Sequence, residues 1–437
     1  RLCELASLRA KPREAVRWVE LWKAELPEHD KARALIREAE LHNAVGQYDR
    51  ALAALHQARQ VVPEANVIER AAIEGAAAEA SYQRASLDEA SSAAANGLAI
   101  LGDEIGAERT RIELVNLLGK VALAREDYAQ ARDRFGETLA AAERAGLVRE
   151  EARALVNLGH AAMRAGDHTL AERTLIEAVE RARGAHDLSH LAVATLNLGV
   201  IAHLRSQLGR AIELYRSCRS LFQRLGNRTQ LARVLMNLAN LYSAVGDFSR
   251  AKAHVDEALR LAQASGSEQV IHIARVVRAT LLAKEGQRDE AESILRDAMV
   301  QQRRMGVERP TETLLELAEL QLGAGDLPAA RETAVELATS LDQVKAPRLA
   351  LRARLLKARL AAAAGEPDAL ELLEAARAET EKHGDRLLAI DAETALALAS
   401  LARGQRERAR LHTATAEETR RAIAMELPIE LRDTFLR

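Results

Sequence analysis

The sequence predicts an all-α solenoid built from antiparallel helix pairs. Three observations carry that expectation. Aromatic residues make up only 3% of a 437-residue chain, which speaks against one conventional large core. A turn motif recurs through almost the whole length, its starts stepping by 39 to 41 residues. Apolar residues fall at helical spacing on both sides of the turns, and Ala and Leu dominate, which favours helices that approach closely.

The turn motif is a short break followed five residues later by Ala. It reads GQYDRA at 46–51, ASLDEA at 85–90, EDYAQA at 126–131, GDHTLA at 166–171 and SQLGRA at 206–211. It continues as GDFSRA at 246–251, GQRDEA at 286–291, GDLPAA at 325–330, the irregular GEPDAL at 365–370 and GQRERA at 404–409. Each unit parses as two amphipathic helices. Around Gly166-Asp167, helix A is expected over roughly 149–164 and helix B over roughly 168–183. Gly accepts the left-handed backbone of such a break, and Asp caps the helix that follows. Leu170, Leu175, Ile176 and Val179 form the apolar stripe of helix B. The Ala of the motif marks a helix crossing where a larger side chain would force the backbones apart. Gly159 and Gly199, with Ala239 as a near equivalent, serve the same approach from helix A.

Ten such units occupy residues 31–422, and a degenerate one around Ala15, Trp18 and Trp22 is expected over 1–30, making about eleven. The two tryptophans, at i and i+4 on one helix, read as core or capping packing. Pro428 breaks the pattern near the end, and residues 423–437 read as a connector to a further domain. Beginning with Arg rather than Met, the sequence reads as a piece of a longer protein.

Bulk chemistry narrows the function classes. A net charge of −2 gives no whole-molecule argument for nucleic acid or an anionic membrane. The basic residues are 53 Arg and 9 Lys, a bias that points to a GC-rich, bacterial genome. Cys3 and Cys218 fit neither a disulfide framework nor a metal spacing, so the expected compartment is the cytoplasm. No run of 18 apolar residues occurs. Phosphate-binding loops, H-E-x-x-H, clustered Cys/His ligands and nucleophile elbows are all missing from the sequence, so no enzyme activity, cofactor or metal is expected. His186 and His190 are spaced i,i+4, but around a loop. Seven arginines crowd 205–233 (Arg205, Arg210, Arg216, Arg219, Arg224, Arg228 and Arg233) against Glu213 alone; they read as a solvated face or a docking edge, and nucleic acid is not expected.

The pattern resembles the tetratricopeptide repeat family, most closely in NLGHAAMRAGDHTLAERTLIEAV at 157–179 and NLANLYSAVGDFSRAKAHVDEAL at 237–259. Two departures stand out: the usual unit of that family has 34 residues, and its large helix A aromatics are mostly absent here. The longer unit is similar to a subclass found in bacterial signalling ATPases, transcriptional regulators, peptide-pheromone receptors and kinesin light chains. The resemblance implies a right-handed superhelix whose concave face is lined by the A helices.

It also implies a role for the Asn of the repeated N-L-G/A. Asn157, Asn197 and Asn237 are expected to project from helix A as a ladder and grip the main chain of an extended peptide, since each carboxamide both donates and accepts. Asn116, Lys120, Arg153, His160, Arg164, His203, Arg233 and Asn240 are expected around them, giving a polar, net-basic groove suited to an acidic peptide or a C-terminal carboxylate. The expected function is a non-catalytic peptide- or protein-binding sensor or interaction region of a larger bacterial signalling or transcription-regulatory protein. Other domains of the same parent chain are the alternative partner, which would make the repeats a passive scaffold or an autoinhibitory region. Self-assembly through the end units is a third reading.

Overall fold

The computed structural model describes residues 12–27, 31–44, 46–265, 268–304, 310–341 and 347–437. Cys3 and the first part of the degenerate unit lie outside them. Among the described residues there are 22 α-helices and no strand, and no helix is long and apolar enough to cross a membrane.

The chain divides into two compact units, residues 1–191 and 192–437. The first holds α1 (Pro12–Glu25), α2 (Lys31–Ala44), α3 (Tyr48–Val61), α4 (Val67–Gln83), α5 (Leu87–Leu101), α6 (Glu108–Ala124), α7 (Tyr128–Arg144), α8 (Val148–Arg164) and α9 (His168–Gly184). The division falls within α10 (Leu188–Leu204). The second unit continues with α11 (Leu208–Arg224), α12 (Arg228–Val245), α13 (Phe248–Ser265), α14 (Glu268–Lys284), α15 (Arg288–Arg304), α16 (Thr311–Ala324) and α17 (Leu327–Leu341). It ends with α18 (Pro347–Ala363), α19 (Ala369–His383), α20 (Arg386–Ala402), α21 (Arg406–Glu426) and α22 (Ile429–Leu436). From α2 to α21 the even-numbered helices are the A helices and the odd-numbered ones the B helices. Inside each unit an A helix packs on its own B helix and on the A helix of the next repeat, as α4 does on α6 and α12 on α14. This is the layering of a solenoid, in which no pair buries its apolar face alone.

The turns form for the reasons the sequence suggests. Asp167 Oδ1 accepts from the Leu170 N–H at 3.0 Å, capping α9. Gly166 sits at φ 84°, yet Ala85, Glu126 and Ser206 occupy the equivalent turn position at φ 67°, 59° and 57°. Those three residues carry the strain that Gly avoids.

The motif Ala is buried in every regular unit. The helix A glycines make room for a specific large residue of helix B. A Cβ on Gly159 would lie 2.6 Å from Leu175 Cγ, and one on Gly199 2.6 Å from a ring carbon of Tyr215. Gly119 stands in the same relation to Phe135, at 2.5 Å. Cys218 is buried, its thiol donating to the Tyr215 carbonyl at 3.4 Å, and burial pushes that thiol up to about 12, which leaves it unreactive.

Two features at the ends depart from the sequence reading. On α1 the buried residues are Ala15 and Val19, packed with Leu41. Trp18 and Trp22 lie outside that cluster, 36% and 45% exposed, because neighbouring positions on a helix point about 100° apart. The segment 423–437 folds back onto its own unit. Here α21 packs on α11 and α22 on α12, and Leu427 and Leu431 join the core of Leu208, Ala211 and Ile212.

That return is tied by polar contacts at the α10–α11 turn. Ser206 Oγ accepts from the Leu387 N–H at 3.0 Å, and its carbonyl accepts from Arg386 Nη2 at 3.0 Å. Arg386 also forks onto both Glu426 oxygens at 2.7 and 2.8 Å. The backbone of Gly209 approaches so closely that a Cβ there would sit 2.1 Å from the Glu426 carbonyl oxygen. Residues some 180 positions apart in sequence therefore meet within the second unit.

Candidate binding face

The side chains expected to bind lie on the A helices at fixed distances before each turn. Arg153 and Arg233 stand thirteen residues before the turns at 166 and 246. Asn157, Asn197 and Asn237 stand nine before theirs; Lys120, His160 and Asn240 stand six before. Such a fixed register places equivalent residues on one face of successive A helices.

In the first unit this face is partly engaged with itself. Asn157 Nδ2 donates to Asn116 Oδ1 at 2.7 Å, so these two carboxamides pair. Asn116 is itself buried, one residue out of the Asn157 register, and holds Asn157 in place. Lys120 Nζ donates to both oxygens of Glu79, at 2.6 and 2.9 Å, and lies 4.5 Å from the centre of the Tyr82 ring. Arg164, exposed at the helix end, faces Glu126 at 3.5 Å. His160 is half-buried.

Arg153 differs from its neighbours. Its Nε and Nη2 are buried and have no hydrogen-bond partner. A buried donor without an acceptor costs on the order of 1–3 kcal/mol, so the arrangement persists against a penalty. Glu113, thirteen residues before the turn at 126 and hence at the equivalent position of α6, interacts with the Arg153 charge. Burial raises the Glu113 pKa, while Arg153 pulls it back.

In the second unit Asn197 and Asn237 are half-buried and Asn240 is exposed. Among the described residues no hydrogen bond joins Asn197 to Asn237. Arg233 keeps a buried, unpartnered Nε, the same feature as Arg153 in weaker form. His203 lies edge-on to Tyr215, ring centres 6.5 Å apart. Burial, helped by the positive charges of Arg348 and Lys284 and opposed by Asp385, lowers its pKa to about 4. His203 is thus neutral at pH 7, and the positive charge of this face rests on arginines.

The later repeats of this unit carry charged residues that the sequence reading did not single out, although the same registers contain them. Thirteen before the turns at 365 and 404 stand Arg352 and Asp391; nine before 325 stands Glu316; six before 325 and 365 stand Glu319 and Arg359. The Asn pattern stops at Asn237, where Val277 and then Glu316 replace it, so following residue type rather than register loses the face. Arg352 Nη2 donates to Glu316 at 2.9 Å and to Glu319 at 2.6 Å. Burial disfavours the Arg352 charge, but the two glutamates more than offset it and hold its pKa above the ordinary value. Burial likewise raises Glu319 and Asp391 and lowers Lys284, each opposed by neighbours of opposite charge. Here the face is a mutually compensated network.

Elsewhere, His190 Nδ1 bonds Asp187 Oδ2 at 2.7 Å, and His186 sits at φ 53° in the turn, so the two histidines do not share a helical face. The 205–233 arginines are partly engaged locally: Arg216 donates to the Tyr242 hydroxyl at 2.9 Å and Arg219 to Glu257 at 3.3 Å.

With the geometry in place, comparison with known proteins agrees on the fold. Family models of the tetratricopeptide repeat match residues 150–223 and 190–264, and again 272–297 and 311–336. A model of anaphase-promoting complex subunit 5 matches residues 28–69. No curated protein gives a sequence match. Among solved structures, the apo form of RapI is similar at 13% identity and a TM-score of 0.53, covering 63% of this chain and 99% of that one. Aspartyl phosphate phosphatase F from Bacillus subtilis is similar at 10% identity and 0.52, over 78% of this chain and 92% of that one. A signal transduction ATPase with numerous domains and a tetratricopeptide repeat sensor, from Pyrococcus horikoshii, is similar at 14% identity and 0.51, over 89% of this chain and 56% of that one. Identities this low speak to fold alone. The helix pairs, their glycine turns and the matching models agree: the chain carries tetratricopeptide repeats over residues 150–264, 272–297 and 311–336.

Proposed function

We propose that this chain is a non-catalytic peptide- or protein-binding sensor of a larger bacterial, cytoplasmic signalling or regulatory protein. The ligand is read by the A-helix face of each unit. In the first, Arg153 takes a ligand carboxylate and Asn157 its main chain; in the second, Arg233, Asn197 and Asn237 do the same. Arg153 carries the argument. Its unpartnered nitrogens are donors for which the described residues offer no acceptor, and a guanidinium fork suits a carboxylate. One fold relative contains a repeat region named a sensor, which agrees with this reading. Another is named a phosphatase, but at 10% identity that name carries no activity across.

The test is capture from a bacterial lysate on the immobilised chain, with Arg153→Ala and the triple variant Asn157→Ala/Asn197→Ala/Asn237→Ala alongside. Circular dichroism checks that all are folded. A partner held by the wild type and lost by both variants, and reproduced with a synthetic acidic peptide from that partner, supports the reading. Equal capture by all three sinks it.

The scaffold reading is favoured by a different observation, the fold-back of residues 423–437 onto α11 and α12. It predicts no independent ligand, and inhibition of the parent protein when the repeats are added in trans.

A further inference from the structure

Outside the A-helix face, one cluster joins α1 to α2. Glu20, Glu38 and His42 each offer a ligand atom, and these three atoms lie within 4.8 Å of one another. Glu38 and His42 are buried, at 9% and 4% exposure, while Glu20 is open to solvent.

The imidazole is what makes this more than a group of acids. His42 Nδ1 lies 2.8 Å from Gln47 Oε1. That oxygen also receives Arg50 Nη1 at 3.4 Å, which marks it as the acceptor. A proton on Nδ1 directed to Gln47 leaves Nε2 as the ligating nitrogen. Nε2 faces Glu38 Oε1 at 3.9 Å, too far for a hydrogen bond. The other Glu38 oxygen accepts from Lys23 Nζ at 2.5 Å, which fixes the carboxylate. A ring nitrogen thus stands 3.9 Å from a carboxylate oxygen, close enough for one cation to bridge both.

We infer that Glu20, Glu38 and His42 form a binding site for a divalent transition-metal cation, Zn²⁺ by its donors, that clamps α1 onto α2. One imidazole nitrogen and two carboxylate oxygens, with water in the fourth position, are a donor set zinc accepts, whereas Mg²⁺ and Ca²⁺ prefer oxygen alone. Ligand atoms on one tetrahedral zinc stand about 3.3 Å apart, so the 3.9 Å gap closes with a shift of about half an ångström. Gln47 does for His42 what a supporting acceptor does at known sites: it fixes the tautomer and aims the ring.

The experiment titrates Co²⁺ and then Zn²⁺ into the untagged full chain after chelator treatment, at pH 7.5. Visible Co²⁺ absorption and equilibrium dialysis are the readouts. The expected result is one site per chain, with affinity falling at least tenfold in Glu20→Gln and His42→Ala. Gln47→Ala should weaken it about 10- to 100-fold. Glu20 is exposed, so its variant keeps the test valid even where His42→Ala fails to fold. No uptake by the wild type, as expected if a proton on Nε2 faces Glu38 instead, overturns the inference. So does uptake that Glu20→Gln leaves unchanged.

Discussion

Arg153 in the first unit and Arg352 in the second stand at the same register of their A helices, yet their surroundings are opposite. Arg352 donates to two glutamates supplied by the neighbouring A helix. Arg153 leaves two buried nitrogens without an acceptor. Repeat architecture explains how both arise from one template. The fold needs only the small residues at the helix crossings and the turn; a position on the A-helix face is free to vary. Where that face carries complementary charges, the unit gains internal compensation. Where a buried donor is left without an acceptor, as at Arg153, the face keeps a group that the proposed ligand would satisfy. The second unit also closes upon itself through its last two helices, and no corresponding return is seen among the described residues of the first.

The largest effect expected is from breaking that closure. In Gly209→Ala the new methyl meets the Glu426 carbonyl, 2.1 Å away, and neither backbone can move without losing contacts. The expected loss is about 3 kcal/mol in chemical denaturation, and protease cutting should begin within α21–α22. Unchanged stability would mean that the fold-back is not a fixed part of the second unit.

Arg352→Ala comes next. It strands Glu316 and Glu319 together, and partial solvent access reduces the penalty from that of a fully buried pair to about 2 kcal/mol. Glu316→Gln in the same background should recover part of the loss.

Histidine 203 gives a smaller, pH-dependent effect. Its pKa falls from 6.5 in the unfolded chain to about 4 in the folded one, so the unfolded state binds the proton more readily between these values. Its contribution to stability is full above pH 6.5 and is lost as the pH falls toward 4, on the order of 1 kcal/mol after allowing for solvent access. Comparing thermal midpoints at pH 7 and pH 5, His203→Leu should show a shallower drop than the wild type. Equal drops would place the acid sensitivity elsewhere.

The smallest effect is a gain. Glu126 adopts φ 59° where most units have Gly. Glu126→Gly should therefore stabilise the first unit by about 0.5 kcal/mol, the relief of strain being partly offset by greater freedom in the unfolded chain. A loss instead would show that the Glu126 side chain, which faces Arg164, matters more than its backbone.

The sequence revealed the fold almost to the residue because helix packing repeats. Helix A was expected over 149–164 and is Val148–Arg164; helix B was expected over 168–183 and is His168–Gly184. The roles of Gly159 and Gly199 were equally legible, since a missing side chain at a crossing has one steric meaning. The candidate binding face was legible in register but not in state. Lys120 and Asn157 look alike in sequence as available polar groups, yet Glu79 neutralises the first and Asn116 engages the second. Those partners lie about 41 residues away on the preceding A helix, and side-chain reach decides them rather than periodicity. The fold-back at Ser206 was not legible at all, because contacts across some 180 residues leave no periodic trace.

The most direct measurement compares Arg153→Ala with Arg352→Ala for both unfolding free energy and retention of the captured partner. Arg153→Ala removes two orphaned buried donors together with the counter-charge of Glu113, so it should unfold within about 1 kcal/mol of the wild type, and lose the partner; Arg352→Ala should be clearly less stable. If Arg153→Ala is as unstable as Arg352→Ala, or keeps the partner at wild-type level, Arg153 is a structural residue and the A-helix face of the first unit is not where this protein recognises its ligand.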